Sequence, residues 1–174
     1  MNGSSPTPTN PFTLLGLPQQ FSLDRAALQR AWLAGTARLH PDRPDAPPDA
    51  ARQLAALNHA KSTLEDPESR ANSLLLLLGG PTREQDKSLP PAFLAEILET
   101  RERMESEIAA EHDDARRRWE RWAEDRRREY IARVNDLFQK TPTPETLRAI
   151  RTELNAWRYI ERLIEQIEPD HRTM

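Results

Sequence analysis

The 174-residue chain contains no cysteine, and that absence removes several classes of chemistry at once. A disulfide framework, a thiolate nucleophile, and cysteine-ligated zinc or iron–sulfur centres are all excluded. Aromatic residues are scarce at 6%, and only 5 glycines stand against 15 prolines. The apolar share of 37% is modest and favours amphipathic helices over thick sheets. Long hydrophobic runs are missing too: the longest, Leu74 to Leu78, falls far short of the roughly 20 residues a membrane-spanning helix needs. Nor is there an excess of positive charge. With 25 basic and 28 acidic residues the formal net charge is −3, so no polycationic surface for nucleic acid is expected. Met1 to Asn10 is polar and lacks arginine, unlike a secretory or mitochondrial targeting segment, and residues 1–9 are expected to be a disordered tail. A cytoplasmic, reduced-compartment protein that acts through its surface fits these exclusions.

What is present is helical punctuation. Prolines and glycines mark boundaries throughout, and composition shifts at Gly79-Gly80-Pro81. Residues 1–80 carry 7 basic and 7 acidic side chains, whereas residues 81–174 carry 18 and 21, the density of long solvated helices. The first unit, 10–80, is predicted to hold a short turn at Pro11–Leu15, a helix from Asp24 to Leu39, and another from Ala50 to Leu64. A last helix is capped by Asp66-Pro67-Glu68. Leu28, Ala31, Trp32, Gly35 and Leu39 form one buried stripe, on which Gly35 permits another backbone to approach. Residues 81–89 read as a linker. The second unit, 90–170, reads as three helices joined by short loops, hence an antiparallel bundle: Pro90-Pro91 to Ala110, Asp113 to Gln139, and one beginning at Thr143-Pro144.

Three features stand out from this background. His40-Pro41-Asp42 follows a helix and precedes a proline-rich loop. On the helix from Pro91, Phe93, Ile97, Met104 and Ile108 form a narrow core stripe, with Leu94 and Leu98 on its flank. On the last helix Tyr159 points nearly opposite Trp157, within a second apolar strip of Ala156, Ile160 and Leu163. Other candidates reduce to structure. Arg116-Arg117-Arg118 and Arg126-Arg127-Arg128 are interleaved with Glu120, Glu124, Asp125 and Glu129, as solvated helix faces are. His40, Asp42 and His59 match no metal-ligand spacing, and no phosphate loop or nucleophile motif appears. No catalytic residue, metal or cofactor is therefore expected.

His40-Pro41-Asp42, preceded by Asn10-Pro11-Phe12-Thr13-Leu14-Leu15-Gly16-Leu17, resembles a J-domain, as does Asn58-His59-Ala60-Lys61-Ser62-Thr63-Leu64-Glu65-Asp66-Pro67. Arg70-Ala71, the leucine run, and Phe93-Leu94-Ala95-Glu96 with Glu99-Thr100-Arg101-Glu102 resemble one branch of it, the HscB family of iron–sulfur cochaperones. The resemblance implies an all-α fold, a J-domain followed by a three-helix bundle. It also implies two partners: an HscA- or DnaK-type chaperone whose ATPase is stimulated, and an IscU-like scaffold. His40, Pro41 and Asp42 would then touch the chaperone, aided by Arg25, Arg30 and Arg38, although Ala26, Ala34 and Ala37 dilute that basic face. Leu94, Leu98, Glu99, Arg101, Glu102 and Tyr159 would touch the scaffold. The alternative is a J-protein serving another client, with the bundle as a dimerisation or adaptor module.

Overall fold

Short polar side chains start three of the four helices described in the N-terminal unit. The computed structural model describes residues 10–39, 47–111 and 113–167, so His40-Pro41-Asp42 and the expected tail at 1–9 lie outside the described residues. Asn10 accepts hydrogen bonds from the Phe12 and Thr13 amides and opens α1 (Pro11–Leu14). Asp24 caps α2 (Arg25–Arg38) through the Ala26 amide, 2.9 Å away. α3 (Ala50–Glu65) comes next, and Asp66 caps α4 (Pro67–Leu77) through the Ser69 amide at 2.8 Å. Such caps satisfy amides that have no partner within the helix, and each contributes about 1 kcal/mol.

The compact unit spans Met1–Leu78. α1, α2 and α4 all pack on α3. Phe12, Leu64, Ala71 and Leu75 are fully buried, with Phe21, Leu28, Leu57, Ala60 and Leu74 around them. Each large side chain so removed from water contributes about 1.5–3 kcal/mol. α2 and α3 run antiparallel: Gly35 meets Leu57, while Trp32, three residues earlier, donates to the Asn58 side chain at 2.9 Å and lies under the Lys61 ammonium. The neighbour of Gly35 is a side chain and not the backbone expected from sequence; a Cβ there would stand 2.9 Å from a Leu57 methyl carbon. Arg70 donates to the Leu64 carbonyl and sits over the Phe21 ring, its guanidinium pushed below its ordinary value chiefly by burial.

The second compact unit, Gly79–Met174, contains α5 (Phe93–Glu111), α6 (Asp113–Phe138) and α7 (Pro144–Ile167). α5 begins two residues later than Pro90-Pro91 implied, because Ala92 turns into the left-handed region at φ 63°. A non-glycine residue there costs about 1–2 kcal/mol. α7 supplies most of the buried side chains of the bundle and packs chiefly on α6, which in turn carries most of the packing against α5. Leu147, Ile150, Leu154, Trp157 and Ile164 are buried as the periodicity requires. Arg127 of α6 pairs with Glu161 of α7, and Arg133 with Glu153, so numbering falls along one helix as it rises along the other: the two are antiparallel. Among the described residues all regular structure is helical, and no helix is long and apolar enough to cross a membrane.

Candidate partner-binding surfaces

On α2 the side chains expected to face a chaperone reach solvent. Arg25, Arg30 and Arg38 are exposed, as are Ala26, Ala34 and Ala37 between them. Arg30 approaches the Asp24 carboxylate at 3.7 Å, so part of its charge is already answered within the helix end. Leu33, half exposed, adds an apolar knob to the same helix. His59 is exposed, and no cluster of three metal-ligating side chains occurs among the described residues.

α5 separates its leucines from its core. Phe93, Ile97 and Met104 are buried, whereas Leu94 is 51% and Leu98 58% exposed. The 100° step of the helix produces that split: the stripe turns inward and the flank turns out. Glu99, Arg101 and Glu102 are exposed beside the leucines, and Arg101 donates to Glu105 at 2.7 Å. Tyr159 on α7 is half-buried, its ring edge-on to Phe93 with centroids 5.8 Å apart. The structure thus brings Tyr159 to the start of the α5 leucine face. It does not supply the apolar strip expected around Tyr159: Ala156, Ile160 and Leu163 are buried, because α7 is enclosed by its neighbours on more than one face.

The arginine runs of α6 are largely neutralised where they stand. Arg117 pairs with Asp114, Arg118 with Glu107 and Glu111, Arg126 with Glu129, Arg127 with Glu161, and Arg128 with Asp125. Trp119 donates to Glu107 at 3.0 Å, and Trp157 to Glu161 at 2.7 Å, so the same carboxylates also satisfy indole N–H groups. Two buried polar residues escaped the sequence reading. Arg151, 2% exposed, and Asn155, 6% exposed, lie beside the Leu147, Ile150 and Leu154 stripe of α7. Polar side chains so close to an apolar stripe were the available signal.

Comparisons with known proteins agree with this architecture. Residues 89–168 match the family described as the HSCB C-terminal oligomerisation domain. The chain is 34% identical over 162 residues to a co-chaperone protein HscB homolog of Burkholderia multivorans, covering 90% of each chain. A homolog from Paraburkholderia phymatum is 42% identical over 110 residues, 60% of this chain and 63% of that one. Among solved structures, the chaperone HscB from Vibrio cholerae superposes with a TM-score of 0.74 at 30% identity, covering 91% of this chain and 95% of the other. Human co-chaperone protein HscB gives 0.74 at 26% identity, covering 94% and 83%. With a J-domain at its N-terminus and a helical bundle at its C-terminus, the chain belongs to the HscB family of co-chaperones.

Proposed function

We propose that this co-chaperone acts in the cytoplasm, delivers an IscU-like iron–sulfur scaffold to an HscA- or DnaK-type chaperone, and stimulates the chaperone's ATPase. The J-domain supplies the chaperone contact through His40, Pro41 and Asp42, with Arg25, Arg30 and Arg38 on the preceding helix. ATP is bound and hydrolysed on the partner, and the cluster is cargo of the scaffold, since this chain has no thiolate to hold one. Leu94 and Leu98 seat the scaffold, with Glu99, Arg101, Glu102 and Tyr159 around them. The observation that carries this reading is the pair of exposed leucines on a helix whose other face is core: 51% and 58% exposure at adjacent turns, rimmed by charge, is how a small specific interface is composed.

Steady-state ATPase of the cognate chaperone with scaffold present is the test. Wild-type protein raises the rate, and His40→Gln abolishes the increase while leaving scaffold binding unchanged. Leu94→Ala combined with Leu98→Ala weakens scaffold binding about tenfold or more, as loss of two buried anchors does. Stimulation by His40→Gln equal to wild type defeats the chaperone assignment. The match of residues 89–168 to a C-terminal oligomerisation domain favours a second reading, in which the same leucine face joins two copies of this chain for another client. Sedimentation across a concentration series separates the two: a dimer abolished by the leucine double variant supports the second.

A further inference from the structure

The segment 81–89 is built onto α7. Asn155 donates its side-chain amide to the carbonyls of Asp86 and Ser88, each at 3.0 Å, and Arg151 donates to the Pro81 carbonyl at 3.1 Å. Within the segment the Asp86 amide closes a turn on the Thr82 carbonyl, and the Thr82 amide donates to Gln85. The buried donors on α7 thus hold in one geometry a stretch whose sequence alone reads as a linker.

That geometry sorts the segment's charges. Arg83 and Lys87 line a cavity of about 270 Å³ together with Leu89, Asn155 and Tyr159. Asp86 lines a different depression, beside Arg148, and its carboxylate accepts from the Ser88 amide. The Glu84 carboxylate lies in neither; hydrogen bonds to its own amide and to Thr82 hold it below the usual carboxylate range. Neither Arg83 nor Lys87 forms a salt bridge among the described residues, in contrast to the paired arginines of α6. Two cations without a salt bridge, Arg83 within the field of the adjacent Glu84 carboxylate, therefore share a concavity with an aromatic ring. The same ring touches Phe93, the residue preceding Leu94. The opposite side of the leucine face is acidic, with Glu99 and Glu102 exposed and Arg101 engaged by Glu105.

We propose that the Arg83–Lys87 pocket is the cationic end of the scaffold-docking surface and takes a carboxylate side chain of the scaffold, with Tyr159 as the wall between that seat and the leucine seat. The proposal rests on the reading of Leu94 and Leu98 as scaffold contacts. A positive end and a negative end flanking an apolar centre fix one orientation of the partner and reject the reverse. Both cations are exposed and neither is engaged in a salt bridge among the described residues, so a partner carboxylate can reach them without breaking an internal ion pair.

The experiment is calorimetry of the full chain with the apo scaffold at low and at high salt. Arg83→Glu with Lys87→Glu is expected to weaken binding about tenfold or more at low salt and much less at high salt, because screening acts on exposed charges. Arg83→Gln with Lys87→Gln shows a smaller loss of the same kind, and Leu94→Ala with Leu98→Ala an equal loss at both salts. Circular dichroism verifies that the variants remain helical, as exposed positions allow. Affinity of both charge variants within about twofold of wild type at low salt overturns the pocket assignment, since a tenfold effect corresponds to about 1.4 kcal/mol. If the leucine variant still loses affinity in that case, the scaffold reading stands and only the pocket falls. A wild-type chain that does not bind the scaffold overturns both.

Discussion

The two units of this molecule stabilise helices in different ways. In the N-terminal unit, short helices are set by side-chain caps, by an indole–amide bond between α2 and α3, and by a guanidinium lodged against Phe21. In the C-terminal unit the helices are longer, and α6 buries only Ala115, Trp119, Ala123, Tyr130 and Val134 of its 26 residues. Its surface is a lattice of arginine–carboxylate pairs, several of them between residues three or four apart on the same helix. Exposed pairs of that kind contribute about 0.2–1 kcal/mol each, so they solubilise the helix more than they hold the bundle. The bundle depends instead on α7, with its buried Trp157, Ile150 and Leu154. A capped, interlocked unit distributes its stability over many small fixings; a charged bundle concentrates it on one apolar helix.

That contrast is open to direct attack. Trp157→Ala is expected to have the largest effect, about 3–5 kcal/mol, against about 2–5 kcal/mol for Leu64→Ala in the N-terminal core. Both losses are read from urea denaturation midpoints. A loss below 1 kcal/mol for Trp157→Ala removes α7 from its organising role. Next is Gly35, where volume and helix propensity oppose each other. Gly35→Ala gains up to about 1 kcal/mol of propensity but pushes on the flexible end of Leu57, leaving a net change within about 1 kcal/mol; Gly35→Val overpacks and costs about 1–3 kcal/mol. Thermal unfolding of the two variants checks the order.

The smallest effect concerns acid. Asp86 is held below the usual carboxylate range first by the Ser88 hydroxyl and then by the Ser88 amide, and Glu145 by its own amide and Thr143. A depressed folded-state value means that the stabilisation is fully present above the ordinary carboxylate value of about 4 and is lost as pH falls through the folded value. Acidification from neutral pH to about 3 therefore weakens the C-terminal unit, and Asp86→Asn loses less over that interval than wild type in parallel denaturation curves. An identical pH dependence for the two proteins removes Asp86 from the account.

Much of the fold was legible because its signals are local. Asp66-Pro67-Glu68, Thr143-Pro144 and the stripe from Leu147 to Ile164 act within a few residues, and the helices begin and pack where those patterns place them. Leu94 and Leu98 fall outside the core for the same local reason, the fixed 100° step of the helix. Tyr159 was placed by the same wheel, but burial of Ala156, Ile160 and Leu163 was not, since a helical wheel records direction and not the number of neighbours. The start of α5 moved because the left-handed turn at Ala92 is a backbone conformation that alanine does not advertise.

The sequence by itself determined the helical class, the separation of a leucine- and alanine-rich unit from a charged one, and the absence of thiol chemistry. Local propensity, capping, periodicity and composition are sufficient for each. Tertiary structure alone decided that 81–89 is held against α7 and that Arg83 and Lys87 line one cavity with Tyr159. Those residues come together through hydrogen bonds spanning about 70 positions, such as Arg151 to Pro81, and no local pattern encodes a contact at that separation.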